Sequence, residues 1–153
     1  MRYRVGVVSA EMKPELSSRM LASLIGKAPQ YEVDVVKVCK VPGLLEAPLI
    51  VSELLKREDV DAVIVLGSIV KETSLEEYIF NQVVSKLSDL SLRFGKPVTF
   101  GISGPGIYWS DKLASLGADE YAELALRAAV RTLDVLRDLR DDSGLLYIAS
   151  PSV

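Results

Sequence analysis

No histidine occurs anywhere in the 153 residues, so the side chain that titrates nearest neutral pH and the commonest metal ligand are both missing. Any proton transfer by this chain runs on carboxylates, other polar groups or water. Cysteine is nearly absent as well. Cys39 alone cannot close an internal disulfide, and the chain does not open with a charged segment leading into a long apolar one, so a reducing, cytoplasmic setting is expected. No apolar run reaches the roughly 20 residues that span a bilayer, so no membrane partner is expected. A basic surplus is lacking too: 18 Lys and Arg stand against 21 Asp and Glu, and a formal charge of −3 gives no broad attraction for nucleic acid. There is no internal repeat, low-complexity tract or linker. A length of 153 residues fits one domain spanning 1–153, with residues 141–153 as a tail outside the core fold.

What is present is strand and helix in alternation. Arg2 to Ala10 is a short apolar strand, and Lys13-Pro14-Glu15 opens a helix, with proline tolerated in the first turn and an acid near the positive end of the dipole. Leu16, Met20 and Leu24 are its buried face until Gly26 and Pro29 stop it. Tyr31 to Val38 or a little beyond, valine-rich and alternating, reads as a second strand. A proline-bracketed loop from Val41 to Pro48 then leads into a helix from about Pro48 to Lys56. Ala62 to Leu66, continuously apolar and closed by Gly67-Ser68, suits a strand buried on both faces. From Leu75 the apolar residues Leu75, Ile79, Val83, Leu87 and Leu90 recur at helical spacing, and Phe94-Gly95-Lys96-Pro97 closes that helix. Val98 to Ser103 is a fourth strand, ended by Gly104-Pro105-Gly106, and a last helix runs from roughly Asp119 to Leu139. Right-handed crossovers make such a sheet mostly parallel, so the expected fold is a three-layer, flavodoxin-like α/β domain with about four parallel strands and helices on both faces.

In that fold ligands gather where strands end. Candidate residues follow each strand: Glu11 and Met12, then Leu44 to Glu46, then Ser68 to Thr73, and Phe100 to Gly106 at the fourth. Each also has a plainer reading. Pro42-Gly43 is a turn, Glu46 the N-cap region of the next helix, Thr73 an N-cap whose capping box Glu76 closes, and Gly101 to Gly106 a loop that relaxes the backbone without a ligand.

Taken together, VPGLLEAPL, then DAVIVLGSIVKETSLEEYI about twenty residues on, then GKPVTFGISGPG resemble the lumazine synthase family in its short archaeal-like form. The likeness runs from the first strand to the last helix. It implies condensation of 5-amino-6-ribitylamino-pyrimidinedione with 3,4-dihydroxy-2-butanone 4-phosphate in riboflavin biosynthesis, with loss of phosphate and water and with no cofactor. It also implies homopentamers, often built into hollow icosahedral shells, with each site shared between neighbouring subunits.

By the same resemblance, Met12 stands where an aromatic residue stacks on the pyrimidine ring, and Leu45 replaces a phenylalanine. Glu46 accepts hydrogen bonds from the ribityl hydroxyls, Ser68, Ile69 and Val70 read the pyrimidine edge through their backbone, and Phe100 is offered to the neighbour's site. Thr73 binds phosphate, although the glycine that stands two residues before it in the family is missing here. Lys112 is the nearest cation where the family's phosphate arginine has no counterpart. Leu75 occupies the position of the proton-transferring histidine, which leaves Glu76 and Glu77 as candidates for that work. Losing one acid/base group typically costs about 10²- to 10⁴-fold in rate, whereas positioning two substrates supplies several kcal/mol by itself. Two further readings stand beside the first. ADEYAEL at Ala118 to Leu124 and the absent histidine resemble the archaeal type of riboflavin synthase, and the lost site residues fit a non-catalytic paralogue that keeps the assembly.

Overall fold

A computed structural model describes residues 2–69, 74–103 and 111–141. Four strands, β1 (Tyr3–Ala10), β2 (Val33–Val41), β3 (Ala62–Ser68) and β4 (Val98–Ser103), pair in parallel in the order β2-β1-β3-β4. Four helices connect or follow them: α1 (Pro14–Lys27), α2 (Ala47–Leu55), α3 (Ser74–Phe94) and α4 (Asp111–Asp141). The expected three-layer α/β architecture is the one found.

Side-chain alternation divides the core in two. Val5, Val7, Ile64 and Leu66 face α1 and α4, where they meet Met20, Leu24, Leu126 and Ala129; Val8, Val63 and Val65 face α2 and α3, where they meet Val51, Leu54, Val83 and Leu87. Every residue of β3 is buried, which is why its sequence is an unbroken apolar run rather than an alternating one.

β4 carries α4 unusually close. A Cβ added at Gly101 would lie 2.6 Å from the carbonyl oxygen of Tyr121, and one turn further along the helix the Thr99 hydroxyl donates to the Ala125 carbonyl at 2.8 Å. Gly101 therefore belongs to the strand and makes room for a helix backbone. This agrees with the expected strand Val98 to Ser103, and the plainer loop reading does not hold at Gly101.

Several boundaries also differ from expectation. β2 begins at Val33 rather than Tyr31, because Ala28–Tyr31 wind into a 3₁₀ turn that ends on Glu32 in the left-handed region, φ 56°. α2 starts at Ala47 and ends at Leu55, one residue earlier at each end than expected. α4 starts at Asp111 rather than Asp119 and carries Gly117 inside it, a placement that local propensity disfavours by about 1 kcal/mol and that the helix's packing on the sheet overrides. Of the expected tail, 141–153, Asp141 is the last residue of α4 and residues 142–153 lie outside the described residues. Among the described residues, no helix is long and apolar enough to cross a membrane.

At the opposite edge from the strand ends, β1 is tied to the last turns of α4. The Tyr3 hydroxyl donates to Asp134 Oδ1 at 2.5 Å, and the Arg137 guanidinium lies 5.9 Å from the Tyr3 ring centroid. Burial first, and then the bond to Asp134, push the Tyr3 phenol up to about 12. A phenol whose folded pKa exceeds its unfolded value contributes stability that is whole below pH 10 and is lost as pH rises from about 10 to 12. Tyr3→Phe should lower the thermal transition by the worth of one hydrogen bond, about 0.5–1.5 kcal/mol. It should also flatten the fall in stability across that alkaline window. Melts from pH 8 to 12 check this, and identical alkaline slopes in both proteins would exclude the assignment.

Candidate active site

The loops after β1, β2 and β3 close on one another at the carboxyl edge of the sheet. Glu11, just past β1, donates its backbone N–H to the Val41 carbonyl at 2.9 Å, so the ends of two neighbouring strands are clamped together. The chain then passes Pro42 and Gly43 into a single 3₁₀ turn, Leu44–Glu46, that feeds α2. Leu44 is buried with the α2 and α3 core residues and fixes that turn, leaving Leu45 60% exposed and Glu46 exposed on its outer side. Gly43 is extended, φ −157°, so it is not needed for an unusual dihedral. It leaves space that two side chains use: a Cβ there would stand 3.3 Å from both Glu46 Oε1 and Met12 Sδ. A carboxylate and a thioether from two different loops thus converge over one glycine.

They form one side of a cleft of about 120 Å³, whose other walls are Leu44, Leu45, Ser68 and Ile69 from the strand ends and Glu76 and Ile79 from α3. The lining is chiefly apolar, and its ionisable side chains among the described residues are Glu46 and Glu76. Such a surface can hold the face of a flat heterocycle against Met12 and Leu45 while a carboxylate accepts hydrogen bonds from hydroxyls.

Seven of the residues singled out from the sequence are brought together here: Met12, Leu44, Leu45, Glu46, Ser68, Ile69 and Glu76. Others are not. Leu75, expected on the buried stripe of α3, is 62% exposed and does not line the cleft. Glu77 is exposed and outside it. Phe100 pairs with Val65 in the sheet, is 39% exposed on the edge strand and stands apart from this cleft. Glu46 does occupy the N-cap position of α2, but its side chain makes no capping bond. Lys112 falls in the first turn of α4, which starts on the same sheet edge; Val70 and Thr73 lie outside the described residues. Ile79 was missed as a wall residue. Its signal was available, since it lies three residues after Glu76 and shares that helix face.

The family described as 6,7-dimethyl-8-ribityllumazine synthase matches residues 2–137, which include every strand and most of α4. A 6,7-dimethyl-8-ribityllumazine synthase of Metallosphaera sedula is 38% identical over 146 residues, covering 95% of each chain. That of Sulfolobus acidocaldarius is 37% identical over 141 residues, 92% of this chain and 88% of the relative. That of Methanopyrus kandleri is 38% identical over 140 residues, 91% and 97%. With the strand order, the carboxyl-edge cleft and near end-to-end likeness all in agreement, this chain belongs to the 6,7-dimethyl-8-ribityllumazine synthase family.

Proposed function

We propose that this chain is a transferase that makes 6,7-dimethyl-8-ribityllumazine, condensing 5-amino-6-ribitylamino-pyrimidinedione with 3,4-dihydroxy-2-butanone 4-phosphate in riboflavin biosynthesis. The observation that carries this is the convergence of Met12, Glu46, Ser68 and Ile69 from three separate strand ends into one cleft, in a chain 95% covered by a relative of that name. In this reading the pyrimidinedione lies against Met12 and Leu45, Glu46 takes the ribityl hydroxyls, and the ends of β3 read the ring edge through Ser68, Ile69 and Val70. Thr73 and Lys112 hold the phosphate, the lysine as a point charge rather than a bidentate fork. Cys39, a lone thiol, suits a reducing cytoplasmic setting for the chain.

The reading includes a homo-oligomer, a pentamer or a pentamer-based shell, with each site completed by a neighbour. A cleft of about 120 Å³ is well below the roughly 300–1,000 Å³ of sites that enclose a small molecule, so the described residues of one chain supply only part of an enclosure. Phe100 on the edge strand, and Leu75, Tyr78 and Leu92 along α3, are exposed apolar or aromatic side chains that a neighbour would cover. Light scattering should then give a mass of at least five times the 16.7 kDa of the chain.

Purified protein mixed with the two substrates should accumulate the lumazine chromophore together with free phosphate. Yellow riboflavin formed from lumazine alone would instead establish the riboflavin synthase reading. A large assembly that forms neither product would establish the non-catalytic one.

A further inference from the structure

We propose that Glu76 is the proton-transfer group of this site, doing in carboxylate form what a chain without histidine cannot do with imidazole; this rests on the lumazine-forming reading above. The argument starts from a broken pattern. The inward stripe of α3 runs through Ile79, which lines the cleft, to Val83 and Leu87, which are buried in the core. One turn earlier, the same stripe reaches Glu76, half-buried and lining the cleft. Its neighbour Leu75 is turned outward and is 62% exposed. In the first turn, then, the carboxylate faces in and the leucine faces out. The helix dipole favours an acid in this turn, but at the position that faces in along the apolar stripe packing alone would select an apolar side chain, and here a carboxylate lines the cleft instead.

Chemistry narrows the choice to the same residue. The cleft's ionisable side chains among the described residues are Glu46 and Glu76. Glu46 projects from the α2 side with its Oε1 close over Gly43 next to Met12, where it serves as a standing hydrogen-bond acceptor. Glu77, the other carboxylate of that turn, is exposed and outside the cleft. Glu76 is left for proton work.

The reaction gives such a group a defined task. The 5-amino nitrogen adds to the ketone carbon and water leaves, giving an imine. The Glu76 carboxylate removes the proton from the hydroxyl-bearing carbon next to the imine; that C–H pair becomes a carbon–carbon double bond, and the bond from the terminal carbon to the phosphate oxygen breaks with its electrons. Glu76 returns the proton to the terminal carbon, making a methyl group as the enol becomes a ketone and its hydroxyl proton passes to solvent. The ribitylamino nitrogen closes the ring on that ketone and a second water departs. One phosphate and two waters balance the equation, with no oxidation or reduction.

The test is Glu76→Gln, compared with Glu76→Ala in the presence of added formate. For Gln, kcat should fall about 10²- to 10⁴-fold, while pyrimidinedione affinity by titration stays unchanged and phosphate release slows in step with lumazine formation. Formate should restore part of the Ala variant's rate, which a merely structural residue would not allow, and thermal melts of both variants verify folding. Wild-type kcat in Glu76→Gln, or a loss confined to substrate binding without formate rescue, overturns the assignment. So does a rate that falls in Glu77→Gln and not in Glu76→Gln. A wild-type protein that yields no lumazine at all overturns the parent reading, and this one with it.

Discussion

If Glu46 takes the ribityl hydroxyls as proposed, Glu46→Ala should weaken binding of the ribityl-bearing pyrimidinedione by about 10- to 100-fold while the fold stays intact. The size follows from the interaction: a hydrogen bond to a charged acceptor contributes roughly 1.5–3 kcal/mol, and each 1.4 kcal/mol is a factor of ten in affinity. Stability is spared because the Glu46 side chain makes no capping bond to α2 and is exposed. What is lost on folding is the carboxylate's favourable position near a helix N-terminus, about 0.3–1 kcal/mol. Isothermal titration with the pyrimidinedione, alongside a melt, separates the two quantities. An unchanged dissociation constant would remove Glu46 from the ligand and return it to the role of a surface acid at a helix start.

Gly101→Ala gives the largest change in stability. Overfilling a packed interior costs about 1–3 kcal/mol, and this site sits at the upper end because the obstacle is a backbone carbonyl, that of Tyr121, 2.6 Å from the new methyl. A flexible side chain could move aside; α4 can only be displaced as a whole. Its Ala122, Ala125, Leu126 and Ala129 are locked into the core. At roughly 2–4 °C per kcal/mol for a protein of this size, the melting temperature should drop by about 6–12 °C. A melt within 2 °C of wild type would mean that the helix rides over β4 with slack.

The sheet could be read from the sequence because its signals are local. Ala62 to Leu66 is apolar at every position, and a strand flanked by helices on both faces requires that. β4 was bounded correctly at Val98–Ser103 because Gly95-Lys96-Pro97 and Gly104-Pro105-Gly106 bracket it. Where the reading slipped, a non-local cause decided. Nothing in the composition of Ala28–Tyr31 requires Glu32 to enter the left-handed region, yet its carbonyl accepts the Tyr3 N–H at 3.2 Å and so sets where β2 begins.

The site divides in the same way. That strand-end residues such as Met12, Glu46 and Ser68 would meet follows from parallel topology. Which of Glu76 and Glu77 faces the cleft depends on the rotation of α3 about its axis, set by Val83 and Leu87 further along the helix. Leu75 was misjudged for the same reason. Its spacing fits the apolar stripe, but it falls about 100° from the line through Val83 and Leu87 at ~100° per residue and is 62% exposed.

The length of α4 has a consequence of its own. As one helix of 31 residues it is about 46 Å long at 1.5 Å per residue, roughly twice the span of the strand it crosses. Its seating on the sheet is fixed at Tyr121 over Gly101 and Ala125 over Thr99, nine to thirteen residues beyond Lys112. The helix is thus seated in the core from Ala118 to Leu133, and its first turn, which carries Lys112, projects beyond that seat. If Lys112 holds the phosphate as proposed, substitutions at Gly101 or Thr99 that shift this seat would move the Lys112 end of α4 and change phosphate affinity from inside the sheet.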